Sequence, residues 1–312
     1  MPSPPSPAVL RRVRRRILEW YAVAHRDFPW RGVTDPYAVL VSEVMLQQTQ
    51  AARVAERFPR FMERFPSAAA LAAAPERAVL AEWSGLGYNR RALSLRRAST
   101  LVTTQGWPRD PAELERLPGI GRYTARAVAS LAFGVPVGVV DTNVRRWLVR
   151  RFGLDPAGPD ATPAALQSLA DALAGPRPGT PAGEAAAWTH ATMEFGATVC
   201  TSRAPDCVIC PVRHGCPSRG RAGTVPVVRH PRFAGSRRAL RGAILRRLVV
   251  SPEHALPLRE LAADPALAAV EPVAGLEAAI GSLEADRLVH RSGDRLLLGP
   301  PGEPGAAGTI GA

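Results

Sequence analysis

The sequence predicts an all-α protein with a small C-terminal module ending in a hairpin. Three observations lead there. Apolar residues recur at helical spacing over most of the chain, no stretch alternates long enough to make an extended strand, and Pro/Gly-rich breakers divide the periodic segments. At 312 residues and 46% hydrophobic, the chain carries enough core material for two domains.

Ser6 followed by Pro7 reads as an N-cap and first helical position, and Leu10, Val13, Ile17 and Trp20 continue the helix with arginines between them. Further helical patterns fall at about 37–64, 67–82, 88–104, 111–117, 122–133 and 142–152. DPAGPDATP and GPRPGTPAG flank one more helix, and a last one at about 184–197 leads into the cysteines. Residues 1–217 thus form the main domain, and residues 218–235, basic and rich in breakers, form a linker. In the module of residues 236–298, Leu240, Ile244 and Leu248 mark one helix, LPLRELAAD a second and VAGLEAAIGSLEADRL a third. VHRSGDRLLL then folds back at Ser292 to Asp294. Three helices and a hairpin suggest a winged-helix-like module, with a simple helical cap as the alternative. Residues 299–312 read as a disordered tail.

The formal charge of +13 favours a polyanionic partner, nucleic acid or an anionic surface. All 40 cationic side chains are arginine, so no side chain can form a Schiff base. No apolar run reaches the roughly 18–20 residues of a membrane span, and the expectation is a cytoplasmic protein with no membrane partner.

Three constellations carry chemistry. LERLPGIGRYTARAVASLAF places a Pro-Gly-Ile-Gly turn between two helices, a helix-hairpin-helix pattern. Gly119 and Gly121 permit positive φ and close backbone approach, so the amides opening the second helix can face a phosphate. Cys200, Cys207, Cys210 and Cys216, spaced C-x6-C-x2-C-x5-C, can hold a [4Fe-4S] cluster or a tetrahedral zinc. Within SEVMLQQTQ on the helical run, Glu43 lies one turn after Val39 and Leu40, with Gln47 one turn beyond. A carboxyl on that partly apolar stripe would have a raised pKa suited to a general acid, although most helical glutamates are solvated charges.

SEVMLQQTQ, SGLGY, LPGIGRYTA, VVDTNV, MEFGATVC and the cysteine loop occur in the order found in MutY-type adenine DNA glycosylases of the helix-hairpin-helix superfamily. The cysteine spacing resembles the cluster loop of the endonuclease III superfamily, and the chain resembles a short form without the larger Nudix-like C-terminal domain. The resemblance implies a helix-hairpin-helix glycosylase fold, a [4Fe-4S] cluster and a monomer acting on double-stranded DNA. The implied reaction is hydrolysis of the N-glycosidic bond of adenine mispaired with 8-oxoguanine or guanine.

The resemblance also implies roles. Glu43 would protonate the leaving base, and Asp141 would face the sugar as an ionised carboxylate, though an Asp before a helix also reads as an N-cap. Asn143 would hold the polar network. Tyr123 occupies the position of the Schiff-base lysine of bifunctional relatives, implying a monofunctional enzyme. Gln48 and Tyr88 would be the wedges that fill the gap left by a flipped base. Arg26, Trp30, Arg31, Leu46 and Glu194 would line the adenine pocket, and Arg203 and Arg213 of the cluster loop would turn toward phosphate. Thr142 stands where many members have Gly, and Asn89 and Arg90 follow Tyr88 instead of a second tyrosine. These departures keep open a thymine glycosylase of the same superfamily, and a non-catalytic iron-sulfur DNA-binding protein is the alternative of another class.

Overall fold

The computed structural model describes residues 5–175, 183–221, 235–270 and 275–302. Most of the expected linker and tail lies outside the described residues. Helix α1 (Pro7–Ala24) starts as anticipated, with Ser6 Oγ accepting from the Val9 amide at 3.4 Å. There follow α2 (Pro36–Leu46), α3 (Ala51–Arg64), α4 (Ala68–Ala73), α5 (Glu76–Trp83), α6 (Arg90–Gln105), α7 (Pro111–Leu114), α8 (Arg122–Phe133), α9 (Thr142–Phe152), α10 (Pro163–Ala174) and α11 (Glu184–Thr198). The C-terminal part contains α12 (Arg237–Val250), β1 (Ala255–Pro257), α13 (Leu258–Ala262), α14 (Pro265–Ala268), α15 (Leu276–Ala285), β2 (Val289–Ser292) and β3 (Arg295–Leu298).

The chain divides into two units, residues 1–43 with 107–229, and residues 44–106 with 230–312. In the first, Ile17, Trp147, Leu148, Leu173, Ala191 and Phe195 form a core among α1, α9, α10 and α11. Burial of each large side chain there contributes about 1.5–3 kcal/mol. The Phe195 ring meets Trp147 and Trp20 edge-on at centroid distances of 5.7 and 5.8 Å. Arg14, only 3% exposed, is neutralised by Glu184 at 2.5 Å and also donates to the Leu173 carbonyl at 2.8 Å, the pairing a buried cation requires. The second unit packs Phe61 edge-on to Trp83 at 5.8 Å. Its three antiparallel strands run β1-β3-β2, with Leu297 opposite both Ala255 and His290. Leu296 and Leu298 are the buried side chains of β3, and Leu240, Ile244, Ile280 and Leu283 of α12 and α15 are buried with them.

The expected elements are present, with three local differences. The run at 37–64 is broken: α2 stops at Leu46 and α3 begins at Ala51, so Gln47 lies beyond the helix rather than one turn further along it. The run at 67–82 is split where Pro75 imposes an extended residue before α5. LPLRELAAD begins as strand β1 rather than helix, since Leu256 pairs with Leu296. Asp264 followed by Pro265 then starts a separate short helix.

Candidate active site

Glu43, on the penultimate turn of α2, is 3% exposed, a consequence of the apolar run YAVLVSEVML that buries the helix on nearly every side. Its Oε2 is buried and has no hydrogen-bond partner. Burial pushes the carboxyl up to about 7; the Tyr123 hydroxyl and the Arg31 charge oppose the shift, and the Asp141 charge adds to it. Tyr123, in the first turn of α8, also stands 3.7 Å from Met193 Sδ, and its phenol is held well above its ordinary range by burial and by the Glu43 and Asp141 charges.

Asp141 is the N-cap of α9. Its Oδ1 accepts from the Val144 amide at 2.6 Å and its Oδ2 from Asn143 Nδ2 at 2.9 Å. Burial raises its pKa as well, against these hydrogen bonds and the Arg146 charge, each of which favours the ionised form. The two carboxyls therefore differ in kind, one satisfied by donors and one carrying an unpartnered oxygen. Asn143 is itself held: Arg146 Nη2 donates to its Oδ1 at 2.9 Å and to the Gly196 carbonyl at 2.6 Å, while Arg146 Nε donates to the Cys200 carbonyl at 2.8 Å. Sequence reasoning missed Arg146, although its place three residues after Asn143 on one helix was a usable signal.

Glu194 of α11 is 1% exposed. Arg26 donates to it through Nε at 2.5 Å and Nη2 at 3.2 Å, and Arg31 Nη2 donates at 2.7 Å. Arg31 Nη1 also donates to the Tyr21 hydroxyl at 3.1 Å, and Arg31 Nε is buried without a partner. Trp30 is buried and stacks on Phe28, the rings 4.8 Å apart and 6° from parallel, with Arg26 and Arg31 over the Phe28 ring. The first unit thus gathers Glu43, Asp141, Tyr123 and Asn143, and gathers Arg26, Trp30, Arg31 and Glu194 around Phe28. Leu46, which ends α2, and Gln48 and Tyr88 belong to the second unit.

Gly119 adopts φ 75°, as its turn was expected to require. Gly121 does not: its φ of −94° is open to any residue, and a Cβ there would meet nothing within 4 Å. What Gly121 supplies is clear space before the N-terminus of α8, where the first amides of a helix lack intrahelical partners.

Cys200, Cys207, Cys210 and Cys216 line one cavity together with Trp147, Arg150 and Val212. Arg150 ties this loop to α9, donating to the Thr201 and Ser202 carbonyls at 2.6 and 2.9 Å. Among the described residues no three His, Cys, Asp or Glu side chains converge as a single metal ion would need. Arg203 is exposed, whereas Arg213 turns back onto the Val208 carbonyl.

In the second unit, Gln48 and Tyr88 have φ of 55° and 48°, both left-handed and both on exposed turns. The Tyr88 hydroxyl accepts from Arg238 of α12 at 3.0 Å. Arg90, one of the departures noted above, pairs with Asp286 at 3.3 Å, so the turn at Tyr88 is tied to the C-terminal module at two points.

Residues 41–171 match the HhH-GPD superfamily of base excision DNA repair proteins. The chain is 41% identical to an adenine DNA glycosylase of Mycolicibacterium smegmatis over 298 residues, covering 93% of this chain and 97% of that one. It is 40% identical to an adenine DNA glycosylase of Homo sapiens over 238 residues, 72% of this chain and 42% of that one. Among solved structures, a thermostable thymine-DNA glycosylase superposes with a TM-score of 0.62 at 28% identity, over 69% of this chain and 98% of that one. An endonuclease III–DNA covalent intermediate superposes with a TM-score of 0.55 at 27% identity, over 69% and 97%. With a relative 41% identical matched along nearly its whole length, the chain belongs to the adenine DNA glycosylase family of the HhH-GPD superfamily.

Proposed function

We propose that this protein is a monofunctional adenine DNA glycosylase of base excision repair, acting on adenine mispaired with 8-oxoguanine or guanine in double-stranded DNA. The observation that carries the reading is the unpartnered, buried Oε2 of Glu43 beside a hydrogen-bonded Asp141. Family membership at 41% identity supplies the base.

In the proposed reaction Glu43, half protonated near pH 7, gives its proton to N7 of the adenine as the C1′–N9 bond breaks and the bonding pair leaves with the base. Asp141, whose ionised form the Val144 amide and Asn143 favour against the effect of burial, faces the positive charge developing on the sugar. Water then adds at C1′, and the proton it loses restores the acid. Tyr123 stands where a lysine would form the imine, and no side-chain amine exists anywhere in the chain. The DNA strand is therefore left intact at an abasic site. Arg26, Trp30, Arg31 and Glu194 of the first unit would line the adenine pocket; with both Glu194 oxygens already engaged by arginines, an adenine edge shares or displaces one of those bonds. Gln48 and Tyr88 are the wedges, and Gly119 and Gly121 with the start of α8 hold a backbone phosphate.

The four thiols line one cavity, and with their C-x6-C-x2-C-x5-C spacing Cys200, Cys207, Cys210 and Cys216 would hold a [4Fe-4S] cluster. Such a cluster would supply a crosslink to the loop that Arg146 and Arg150 join to α9. Absorption near about 400 nm with iron in the purified protein supports this assignment, and colourless protein containing zinc refutes it.

We further propose a monomer located in the cytoplasm at the nucleoid, with residues 1–217 performing the chemistry and residues 236–298 forming a winged-helix-like module. No described helix is long and apolar enough to cross a membrane. The likeness to a thymine-DNA glycosylase, at 28% identity over 69% of the chain, makes thymine opposite guanine the second substrate to test. The deciding variant is Glu43→Gln: loss of single-turnover base release with duplex binding retained supports the assignment, and full activity overturns it.

A further inference from the structure

Arg91, in the first turn of α6, makes more hydrogen bonds than any site reading above requires. Its Nη1 donates to the carbonyls of Val44, Met45 and Gln47 at 2.5, 3.3 and 2.6 Å. Its Nη2 donates to Thr49 Oγ1 at 3.3 Å and to the carbonyls of Leu86 and Gly87 at 3.3 and 3.0 Å. The guanidinium also lies over the rings of Trp83 and Tyr88, 5.4 and 5.5 Å from their centroids.

These acceptors fall into two groups. Val44, Met45, Gln47 and Thr49 surround Gln48, and Leu86 and Gly87 immediately precede Tyr88. The first group includes carbonyls from the last turn of α2, which lack intrahelical donors and sit at the negative end of the helix dipole. Arg91 satisfies them where α2 stops at Leu46. The second group belongs to a turn in which Gly85, Gly87 and Tyr88 are all left-handed. Gln48 and Tyr88 carry side chains in a backbone region that disfavours them, and such residues persist only where their surroundings over-determine the conformation. The two turns are also joined by Thr49 Oγ1 donating to the Leu86 carbonyl at 3.2 Å. Burial pushes the Arg91 pKa down to about 10, so it remains a cation at neutral pH.

We propose that Arg91 is the positioning residue of the wedge, one guanidinium holding Gln48 and Tyr88 in the left-handed conformations that present their side chains to the gap left by the flipped base. The inference rests on the wedge reading of those two residues. Lysine cannot replace Arg91, because a single ammonium has three donors and no fork able to span both turns.

The test is a double-mutant cycle in the cluster-loaded full-length enzyme. Single-turnover adenine release from an adenine–8-oxoguanine duplex is measured for the parent, Arg91→Lys, the Gln48→Ala/Tyr88→Ala variant, and all three changes combined. A 2-aminopurine placed next to the target adenine reports unstacking by its fluorescence. Misplacing the wedges in Arg91→Lys should slow release on the order of tenfold to a hundredfold and suppress the fluorescence rise. On the wedge-less background the same change should slow release less than about threefold, since its effect passes through Gln48 and Tyr88. Equal slowing on both backgrounds, or an undiminished fluorescence rise in Arg91→Lys, overturns the proposal. A parent enzyme that releases no adenine refutes the functional reading instead. Should Arg91→Lys fail to fold, Thr49→Ala, which removes the hydroxyl linking the two turns, enters the same cycle under the same criterion.

Discussion

Replacing Glu43 with Gln should remove activity and, at alkaline pH, stabilise the protein. Glu43 is an acid whose native pKa is raised, from an ordinary 4.5 to about 7 by burial. Between those values the folded protein keeps a proton that the unfolded chain has released, so stability falls as pH rises through this window. At 1.36 kcal/mol per unit, the cost of holding the ionised carboxylate is about 3 kcal/mol above pH 7 and is absent below pH 4.5. The side chain is 3% exposed, so solvent screening takes little from that figure. Subtracting about 1 kcal/mol for a new amide with an imperfectly paired hydrogen leaves a gain of about 2 kcal/mol at pH 8. The corresponding rise in Tm is about 4–6 °C at pH 8, and the gain disappears near pH 5. Thermal melts of the parent and Glu43→Gln across pH 5–8 read this difference directly. A Tm difference that does not change with pH, or a less stable variant at pH 8, refutes the reasoning about the buried carboxyl.

Three further outcomes follow from the same geometry. Single-turnover release should be flat at low pH and fall about tenfold per unit once pH exceeds the Glu43 value of about 7, because the acid must carry its proton; a rate rising through that range contradicts the acid role. Asp141→Asn separates cap from catalyst: Asn caps helices as well as Asp does, so stability should change by less than about 1 kcal/mol while base release collapses. If stability and rate fall together, Asp141 is chiefly a cap. In Gly196→Ala the new Cβ would lie 2.8 Å from the Cβ, carbonyl carbon and oxygen of Asn143, and the strain should cost about 1–3 kcal/mol and slow release by displacing Asn143 from Asp141. A crystal structure or melt showing Gly196→Ala accommodated without loss would count against Asn143 as a fixed support.

Much of this molecule was legible in the sequence because its signals are local. Ser6-Pro7 announces α1, the clustered cysteines announce one loop, and Asp141 ahead of an amphipathic stretch announces α9 whether it is read as cap or catalyst. The apolar surroundings of Glu43 within α2 correctly indicated a carboxyl pushed upward. What was not legible depends on contacts distant along the chain. The break after Leu46 has no Pro or Gly to mark it, and the carbonyls around it are bound by Arg91, more than forty positions away. Arg146 matters through the Gly196 and Cys200 carbonyls, about fifty positions on. Strand β1 is three residues long, and its pairing with β3 overrides a helical-looking sequence. Residue type alone lets both Gly119 and Gly121 take positive φ, and only the structure separates the open space at Gly121 from the positive φ of Gly119.

We expect Glu43 and Asp141 to release adenine by hydrolysis without a lyase step. This is tested most directly by single-turnover base release from duplexes containing adenine opposite 8-oxoguanine, guanine or cytosine, and thymine opposite guanine, each analysed with and without alkaline cleavage. Adenine opposite 8-oxoguanine or guanine should be released fast, with strand scission appearing only after alkali. Faster release of thymine, scission without alkali, or no release from any duplex by cluster-loaded protein would contradict it.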